Sequence, residues 1–184
     1  MTRTLMTNRD ESLSQHPGSL ALAILGLGAN LGDNPALTLH NAVEAIHQAT
    51  GVEKIRPASL YSSAPVDAPG PHYTNTAVVL QTALSPLLLL DKMQAIEHDF
   101  GRQRNLATVR NAPRTLDIDL LWYDGVEIET PRLTLPHPRM HLRAFVLMPL
   151  QELLGADFVI RGAPVSRWLK ACKEQMCLRL DSNA

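Results

Sequence analysis

The 184-residue chain has few aromatic residues, only two cysteines and almost no net charge. A formal charge of -1 provides no bulk attraction to nucleic acid or to an anionic membrane, so any anion site has to be local. With an aromatic content of 4%, the chain has few side chains on which nucleobases could stack at a sheet surface. The apolar run at residues 20–31 is too short to span a bilayer, and the acidic Asp10 and Glu11 precede it, so we predict a buried strand rather than a targeting segment.

The two cysteines, Cys172 and Cys177, bear on the cellular compartment of the protein and do not indicate a metal site. They lie close together near the C-terminus, with no group of histidines or further cysteines that would complete a zinc site. A reduced cytosol suits such a chain, and we predict a cytoplasmic protein.

The length predicts one domain with a sizeable core. Residues 1–19 lack hydrophobic periodicity and are rich in small polar residues, so we predict a mobile tail there and a single domain over residues 20–184.

Hydrophobic periodicity and capping residues predict an alternation of strands and helices. One helix begins after Asn34 and ends at Gly51, and a second begins after Ser85 and ends at Gly101. Strands are predicted at 20–27, 52–62, 76–84 and 115–123, followed by a hairpin to about 134, a helix over about 141–154, and a short strand and helix. This order is the split βαβ pattern, so we predict an α+β, ferredoxin-like sandwich with a mostly antiparallel sheet and helices on one face.

The segment RTLDIDLLW places two carboxylates at the start of a strand. Period-two alternation puts Asp117 and Asp119 on one face, and Leu116, Ile118, Leu120 and Trp122 on the other. Two adjacent carboxylates repel each other unless a cation lies between them, and magnesium prefers such oxygen ligands completed by substrate phosphates. The alternative is that both aspartates only pair with nearby arginines on a solvated face.

Basic residues surround this pair in the sequence. Arg102, Arg104, Arg110 and Arg114 precede it without an intervening acidic residue, and guanidinium groups match phosphate oxygens bidentately. A second basic group follows, which is either solvated surface or a further anion site: Arg132, His137, Arg139, His141 and Arg143.

The glycine-rich stretch GLGANLG, residues 26–32, is not a nucleotide motif. It lacks the third glycine of the dinucleotide fingerprint, because Leu31 stands there, and it has no Gly-Lys-Ser/Thr. A nucleotide would therefore be held by side chains and metal.

These motifs together resemble the 6-hydroxymethyl-7,8-dihydropterin pyrophosphokinase family of folate biosynthesis. The resemblance covers residues 20–165 and rests on RTLDIDLL at 114–121, on LTLPH at 133–137, on Arg143-Ala144-Phe145, and on GANLG, YSSAP and Tyr-Thr-Asn earlier in the chain. It implies transfer of pyrophosphate from ATP, as co-substrate, to the pterin hydroxymethyl group, with two Mg ions.

The resemblance also implies a role for individual residues. Asp117 and Asp119 would hold the Mg ions, with Asp117 near the attacking hydroxyl, and Arg102 and Arg114 would stabilise the transferring group. The pterin would be bound by Ser63, Ala64, Pro65, Val66, Tyr73, Asn75 and Phe145, with the two aromatics stacking on it. ATP would be bound by Gln94, Glu97, Arg104, Arg114, Arg132, Thr134, His137 and Arg143. For Glu97, a solvated or capping role is an equal alternative.

The sequence departs from the family at two places. Asn111-Ala112 stands where Trp-Gly is usual, and Pro138 stands where an aromatic follows the histidine. Two other classes of function also fit the architecture: a regulatory domain that senses a small ligand, and a sheet-based RNA binder. The low aromatic content and the aspartates on the sheet face disfavour RNA, and we expect ATP and the pterin as partners, neither nucleic acid nor membrane.

Overall fold

The computed structural model of the protein describes residues 20–65, 70–101 and 114–181. The elements in chain order are β1 (Ala21–Ala29), α1 (Pro35–His47), β2 (Val52–Pro57), β3 (Tyr61–Ser63), β4 (Tyr73–Thr82), α2 (Pro86–Asp99), β5 (Asp117–Tyr123), β6 (Ile128–Glu129), β7 (Thr134–Leu135), a 3₁₀ turn (Met140–Leu142), α3 (Ala144–Leu154), β8 (Val159–Ile160), β9 (Ala163–Pro164), α4 (Val165–Ala171) and β10 (Cys177–Arg179). None of the helices in these ranges has the length and apolar character needed to cross a membrane.

The main sheet is antiparallel and has the order β10-β3-β4-β1-β5, with β2 also pairing with β4. The apolar strand β1 runs between β4 and β5, where both of its edges are paired. The predicted α+β sandwich is therefore confirmed. Since the aspartates lie on β5, the neighbouring strand β1, called the central strand below, forms the surface beside them.

Helices cover both faces of the sheet, so the prediction of helices on one face was wrong. Leu25 and Leu27 of β1 pack on one side with Leu39 of α1 and Met93 of α2. Ile24 packs on the opposite side with Leu147 of α3. The second face is covered because α3 is strongly apolar and the chain returns across the sheet after β5. With both faces covered, this part of the chain has no open sheet surface of the kind an RNA binder uses.

Both predicted helix starts are confirmed. The Asn34 side chain accepts a hydrogen bond from the backbone nitrogen of Leu37 at 3.0 Å, and the Ser85 hydroxyl accepts one from that of Leu88 at 3.4 Å. In each helix a proline follows the cap, where its missing N–H costs no hydrogen bond. The helices end shortly before Gly51 and Gly101, both of which have positive φ.

The strand predicted over 52–62 is divided into β2 and β3. Pro57 ends β2 because proline cannot donate to the sheet, and the chain then steps across to pair with the other half of β4. Accordingly β4 begins at Tyr73 rather than at Thr76, and the first residues of the longer strand face the site described below.

A bulge on β5 reverses the alternation predicted for its last residues. Leu25 of β1 pairs with Leu120 and Ile24 pairs with Trp122, which leaves Leu121 as an extra residue. Trp122 therefore packs with Phe158 on the α3 side, with ring centroids 5.7 Å apart, and Tyr123 takes its place in the other core. The prediction that Trp122 shares a face with Leu120 was wrong because a bulge shifts the side-chain phase by one residue.

The Glu152 side chain at the end of α3 connects this helix to β3. Its carboxylate accepts hydrogen bonds from the Tyr61 hydroxyl at 2.7 Å and from the Ser59 backbone nitrogen and hydroxyl, each at 2.9 Å. Desolvation raises the pKa of Glu152, but the bonds from Tyr61 and Ser59 and the charge of Arg179 lower it further, so the net pKa lies below the ordinary glutamate value.

Replacing Glu152 by Ala is expected to lower the free energy of unfolding by about 1–3 kcal/mol at pH 7, because the buried Tyr61 hydroxyl loses its acceptor while the carboxylate itself is exposed. A group whose pKa is depressed in the folded state contributes stability above its unfolded pKa and loses it as the pH falls through the folded value. Urea unfolding should therefore show a wild-type-to-variant difference at pH 7 that shrinks below about pH 4. Glu174→Ala, which removes an exposed glutamate, is the control. A pH-independent difference would mean that the Glu152 charge does not matter.

Candidate active site

A cavity of about 100 Å³ lies on the α3 side of the sheet. Its walls come from β1, β3, β4 and β5 and from the first turn of α3. Both aspartates singled out from the sequence, Asp117 and Asp119, line it. The face that carries them is therefore a concave surface, although each aspartate also has an arginine partner as the alternative prediction had it.

The sheet register places the two carboxylates beside glycines. Asp117 pairs with Gly28 and Asp119 with Gly26 on the central strand. Gly28 in turn pairs with Asn75 of β4. Because residues at i and i+2 of a strand share a face, both glycines lie on the cavity floor. At Gly26 the space is filled by the Leu121 side chain, whereas the missing side chain at Gly28 keeps the floor open beside Asn75.

Gly28 is a site residue that reasoning from sequence missed. A Cβ added there would lie 3.2 Å from the Asn75 Oδ1 atom and 3.9 Å from a ring carbon of Tyr73. At Gly26 the corresponding distance to the Leu121 Cδ1 atom is 3.1 Å. Glycines at i and i+2 within a strand were the available signal, since glycine there often marks a close approach of a ligand.

Each aspartate has an arginine beside it. An Nη1 atom of Arg114 forms an ion pair with Asp117, and that of Arg143 lies 3.9 Å from Asp119. Desolvation and the charge of Asp117 raise the pKa of Asp119 to about 6, although Arg143 and Arg114 act in the opposite direction. The two aspartates thus remain close together even beside the two arginines, an arrangement in which a divalent cation would relieve their repulsion.

The position of Arg114 depends on Asn30, which the sequence analysis did not select. The Asn30 Oδ1 atom accepts a hydrogen bond from the Arg114 backbone nitrogen at 2.9 Å, and the Asn30 backbone nitrogen donates to the Arg114 carbonyl at 3.1 Å. Asn30 is buried at the end of β1. These two hydrogen bonds hold the segment before β5 against the central strand. They give the asparagine of the GANLG motif a structural role.

The residues assigned to the pterin come together on the other wall of the cavity. Those that the structure describes all line it: Ser63, Ala64, Pro65, Tyr73, Asn75 and Phe145. Tyr73 enters from β4 and Phe145 from the start of α3, so the two aromatics reach the cavity from different elements. Aromatic faces and a few polar atoms are what a flat heterocycle requires.

Asn75 is the polar residue of this wall. Its Nδ2 atom donates to the Ser63 hydroxyl at 3.0 Å and also approaches the backbone carbonyls of Tyr73 and Tyr61. The protein thus engages the amide nitrogen, and the Oδ1 atom is directed toward Gly28 and the cavity. In this orientation Asn75 accepts a hydrogen bond from a ligand N–H group.

Phe145 is held by the same residue that approaches Asp119. The Arg143 guanidinium carbon lies 5.4 Å from the centre of the Phe145 ring, within range of a cation–π interaction. The Arg143 carbonyl accepts from the backbone nitrogens of Val146 and Leu147, which begins α3 at this point. Arg143 therefore links the apolar and acidic parts of the cavity.

Most residues assigned to ATP lie outside the cavity wall. Among those that the structure describes, Arg114 and Arg143 line it, whereas Gln94, Glu97, Arg132, Thr134 and His137 do not. Arg132 pairs with Asp91 of α2 at an exposed position, and Thr134 begins β7. Gln94 lies three residues after Asp91, on the same helix face, so the hairpin and α2 meet here.

His137 is neutral at physiological pH. Desolvation lowers its pKa to about 4, and the charges of Arg143, Arg139 and Arg161 contribute. Its Nδ1 atom accepts from the Arg139 backbone nitrogen at 3.2 Å, so the ring proton is on Nε2. His137 is thus suited to donate one hydrogen bond to an anion.

Three of the predicted site residues, Val66, Arg102 and Arg104, lie outside the described residues. The same holds for Arg110, for Asn111-Ala112 and for the predicted tail at 1–19.

The acidic pair fits magnesium better than a metal that requires a cage of protein ligands. No cluster of three or more His, Cys, Asp or Glu side chains with metal-binding geometry occurs among residues 20–65, 70–101 and 114–181. Two carboxylates, with phosphate oxygens completing the shell, are a common magnesium arrangement.

An aromatic cavity that opens onto paired carboxylates and arginines, built on an α+β sandwich, defines a small-molecule enzyme of the phosphate-transferring class. The family comparison is more specific. Residues 24–155 match the 7,8-dihydro-6-hydroxymethylpterin-pyrophosphokinase (HPPK) family, and the chain belongs to it.

Curated relatives agree with this assignment. The chain is 43% identical over 132 residues to a 2-amino-4-hydroxy-6-hydroxymethyldihydropteridine pyrophosphokinase of Synechocystis, covering 71% of this chain and 65% of that protein. It is 40% identical over 144 residues to the protein of the same name from Haemophilus influenzae, covering 78% and 87%. A folate synthesis bifunctional protein of Pisum sativum is 37% identical over 148 residues, which make up 79% of this chain and 27% of that one.

Solved structures support the fold. The Plasmodium falciparum HPPK-DHPS wild-type structure superimposes with a TM-score of 0.61 at 14% identity, covering 83% of this chain and 44% of that one. A structure of HPPK-DHPS in complex with substrates gives a TM-score of 0.62 at 12% identity, covering 83% and 43%. This chain thus spans less than half the length of these two structures.

Proposed function

We propose that the chain transfers the terminal pyrophosphoryl group of ATP to the hydroxymethyl oxygen of 6-hydroxymethyl-7,8-dihydropterin. The new bond joins that oxygen to the β-phosphorus, and the bond from the β-phosphorus to the bridging α,β oxygen breaks. The products are AMP, the pterin diphosphate and the hydroxyl proton. The observation that carries the proposal is that one cavity contains both the acidic pair and the aromatic wall.

In this proposal the cavity wall opposite the aspartates binds the pterin. Tyr73 and Phe145 supply apolar faces, and the directed Asn75 Oδ1 atom accepts from a ring N–H group. Ser63, Ala64 and Pro65, with Val66 next in the chain, complete the pocket. The wall fixes the heterocycle so that its hydroxymethyl group is directed toward Asp117.

Asp117 and Asp119 would hold two Mg ions between the cavity and the nucleotide. Bound there, magnesium would neutralise charge on the transferring phosphates and orient them. Asp117 has the more specific task, since it is the residue we place near the attacking hydroxyl. Its pairing with Arg114 orients the carboxylate before substrates bind.

Cationic and hydrogen-bonding residues around the pair would hold the polyphosphate. Arg114 and Arg143 are already beside the aspartates, and the His137 Nε2–H group is a donor that protonation changes do not affect above about pH 5. Gln94, Arg132 and Thr134 would reach the nucleotide from α2 and the β6–β7 hairpin. Arg102 and Arg104 belong to the same set by family position. We expect the protein to act in the cytoplasm.

The test is phosphorus NMR of the purified protein with ATP, magnesium and the reduced hydroxymethylpterin. AMP and a pterin diphosphate are the expected products. ADP would mean transfer of a single phosphoryl group and would contradict the proposal. Metal-dependent ATP binding without turnover would favour a regulatory domain that senses the nucleotide.

A further inference from the structure

The outer edge of β5 is the part of the sheet closest to the acidic pair that has no strand partner among the described residues. The strand order ends at β5, whose other edge pairs with β1. Unpaired backbone N–H groups on such an edge need other acceptors when they are buried. At its far end the Leu121 carbonyl accepts from the His137 backbone nitrogen at 2.8 Å.

Glu97 supplies the acceptor between the two aspartates. Its Oε1 atom accepts a hydrogen bond from the Ile118 backbone nitrogen at 2.7 Å. Glu97 lies on α2 and is 1% exposed, and it is the one charged side chain among the buried polar residues of the described chain. Burying a carboxylate is costly, and a neutral acceptor would serve if only the N–H group needed a partner.

The Glu97 charge also acts on the acidic pair. Its carboxylate is bonded to the backbone of Ile118, the residue between Asp117 and Asp119, so its negative charge lies close to both aspartates. Three carboxylates from two elements therefore converge on one end of β5. Residues behind metal ligands that orient them and tune their charge typically affect metal affinity by about 10- to 100-fold.

We propose that Glu97 is a positioning residue for the metal-binding pair, acting through the backbone of Ile118 and through its negative charge. This inference rests on the proposed function and revises one part of it. The effect of Glu97 on ATP is exerted through Asp117 and Asp119, whereas the family resemblance implied a contact with the nucleotide.

Two substitutions separate the two components. Gln at position 97 keeps an oxygen that accepts from Ile118 but lacks the charge, whereas Ala lacks both. Glu44→Gln is the matched control, because it removes one negative charge from an exposed position on α1, where the Glu44 carboxylate accepts a hydrogen bond from the Gln48 side chain. Hydrogen exchange at the Ile118 amide checks the premise, and it should accelerate in Glu97→Ala and stay slow in Glu97→Gln.

The main readout is binding of Mn²⁺ in the presence of α,β-methylene-ATP, followed by electron paramagnetic resonance without the pterin. We expect Glu97→Gln to weaken Mn²⁺ binding by about 3- to 10-fold and Glu97→Ala by about 10- to 100-fold, with Glu44→Gln unchanged. If Glu97→Ala does not fold, the Gln variant decides the question.

Two outcomes would overturn the inference in distinguishable ways. Wild-type Mn²⁺ affinity in both folded Glu97 variants, alongside normal pyrophosphoryl transfer by the wild type, would leave Glu97 a purely structural cap and the proposed function intact. Failure of the wild type itself to bind Mn²⁺ with the nucleotide would reject the proposed function and this inference together.

Discussion

Asp117→Asn and Asp119→Asn variants are each expected to lose about 10²- to 10³-fold in kcat, the range found when a group that stabilises developing charge is removed. Asn has nearly the same shape as Asp but no charge, so it fills the same space on β5 and binds magnesium much more weakly. The loss should be measured by AMP release at saturating ATP and pterin.

The fold of these variants should not suffer. The two carboxylates share one face of β5, and the charge of Asp117 is among the causes that raise the pKa of Asp119 to about 6. Removing one charge relieves that repulsion, so thermal unfolding should occur at the wild-type temperature or slightly above it. A large decrease in Tm would mean that the aspartates serve the fold through their arginine partners.

Asp124→Asn is the matched control for the acidic pair. Asp124 follows β5 in a turn at φ 44, a conformation that asparagine also tolerates, and it is exposed. Its activity should equal that of the wild type. An equal loss of kcat in the variants of Asp117, Asp119 and Asp124 would indicate a general effect of negative charge along β5. It would contradict a specific metal role for Asp117 and Asp119.

Reasoning from the sequence was most successful where local chemistry decides the structure. Asn34 and Ser85 begin their helices as predicted because a side-chain cap followed by proline is a local signal. The acidic pair could be identified because i, i+2 spacing on a strand needs no knowledge of the rest of the fold.

Features that depend on distant parts of the chain could not be predicted. The Leu121 bulge arises from how β5 is fitted against β1, and nothing near Leu121 indicates it. The pairing of β10 with β3 joins residues more than a hundred positions apart. Glu97 lay beside the apolar stripe of its helix, but its bond to Ile118 depends on how α2 packs on β5.

The glycines of the cavity floor lie between these two cases, because their sequence signal is local but its meaning depends on the fold. Gly26 and Gly28 were considered as a nucleotide-binding motif, which was rejected, and Gly28 also as part of the GANLG segment of the family resemblance, but neither was placed in the candidate site. Both lie on β1, and at Gly28 the missing side chain keeps the cavity floor open beside Asn75. Gly26 lies inside the strand predicted over residues 20–27, but Gly28 lies one residue beyond it, so the prediction did not place Gly28 on a strand.

Gly28→Val is expected to weaken pterin binding by about 100-fold, because a misfit of one methylene in a fitted pocket is worth about 10- to 200-fold. The valine Cβ atom would stand 3.2 Å from the Asn75 Oδ1 atom, and its two methyl groups would extend into a cavity of about 100 Å³. Both the space and the polar contact for the heterocycle are then lost. Gly28→Ala, with the Cβ atom alone, should give a smaller loss of about 10-fold.

Binding of the metal-nucleotide complex separates this effect from damage to the fold. Since β-branched residues suit strands, the Val variant should fold, and calorimetric titration with magnesium and α,β-methylene-ATP should give a Kd within about 3-fold of the wild-type value. Thr74→Val is the control, because Thr74 lies on β4 between Tyr73 and Asn75 but is not part of the cavity wall. The order Gly, Ala, Val in pterin affinity, with ATP affinity unchanged, would place the pterin over the central strand. Unchanged pterin affinity in Gly28→Val would mean that the pterin binds elsewhere, and the aromatic wall would then need another ligand.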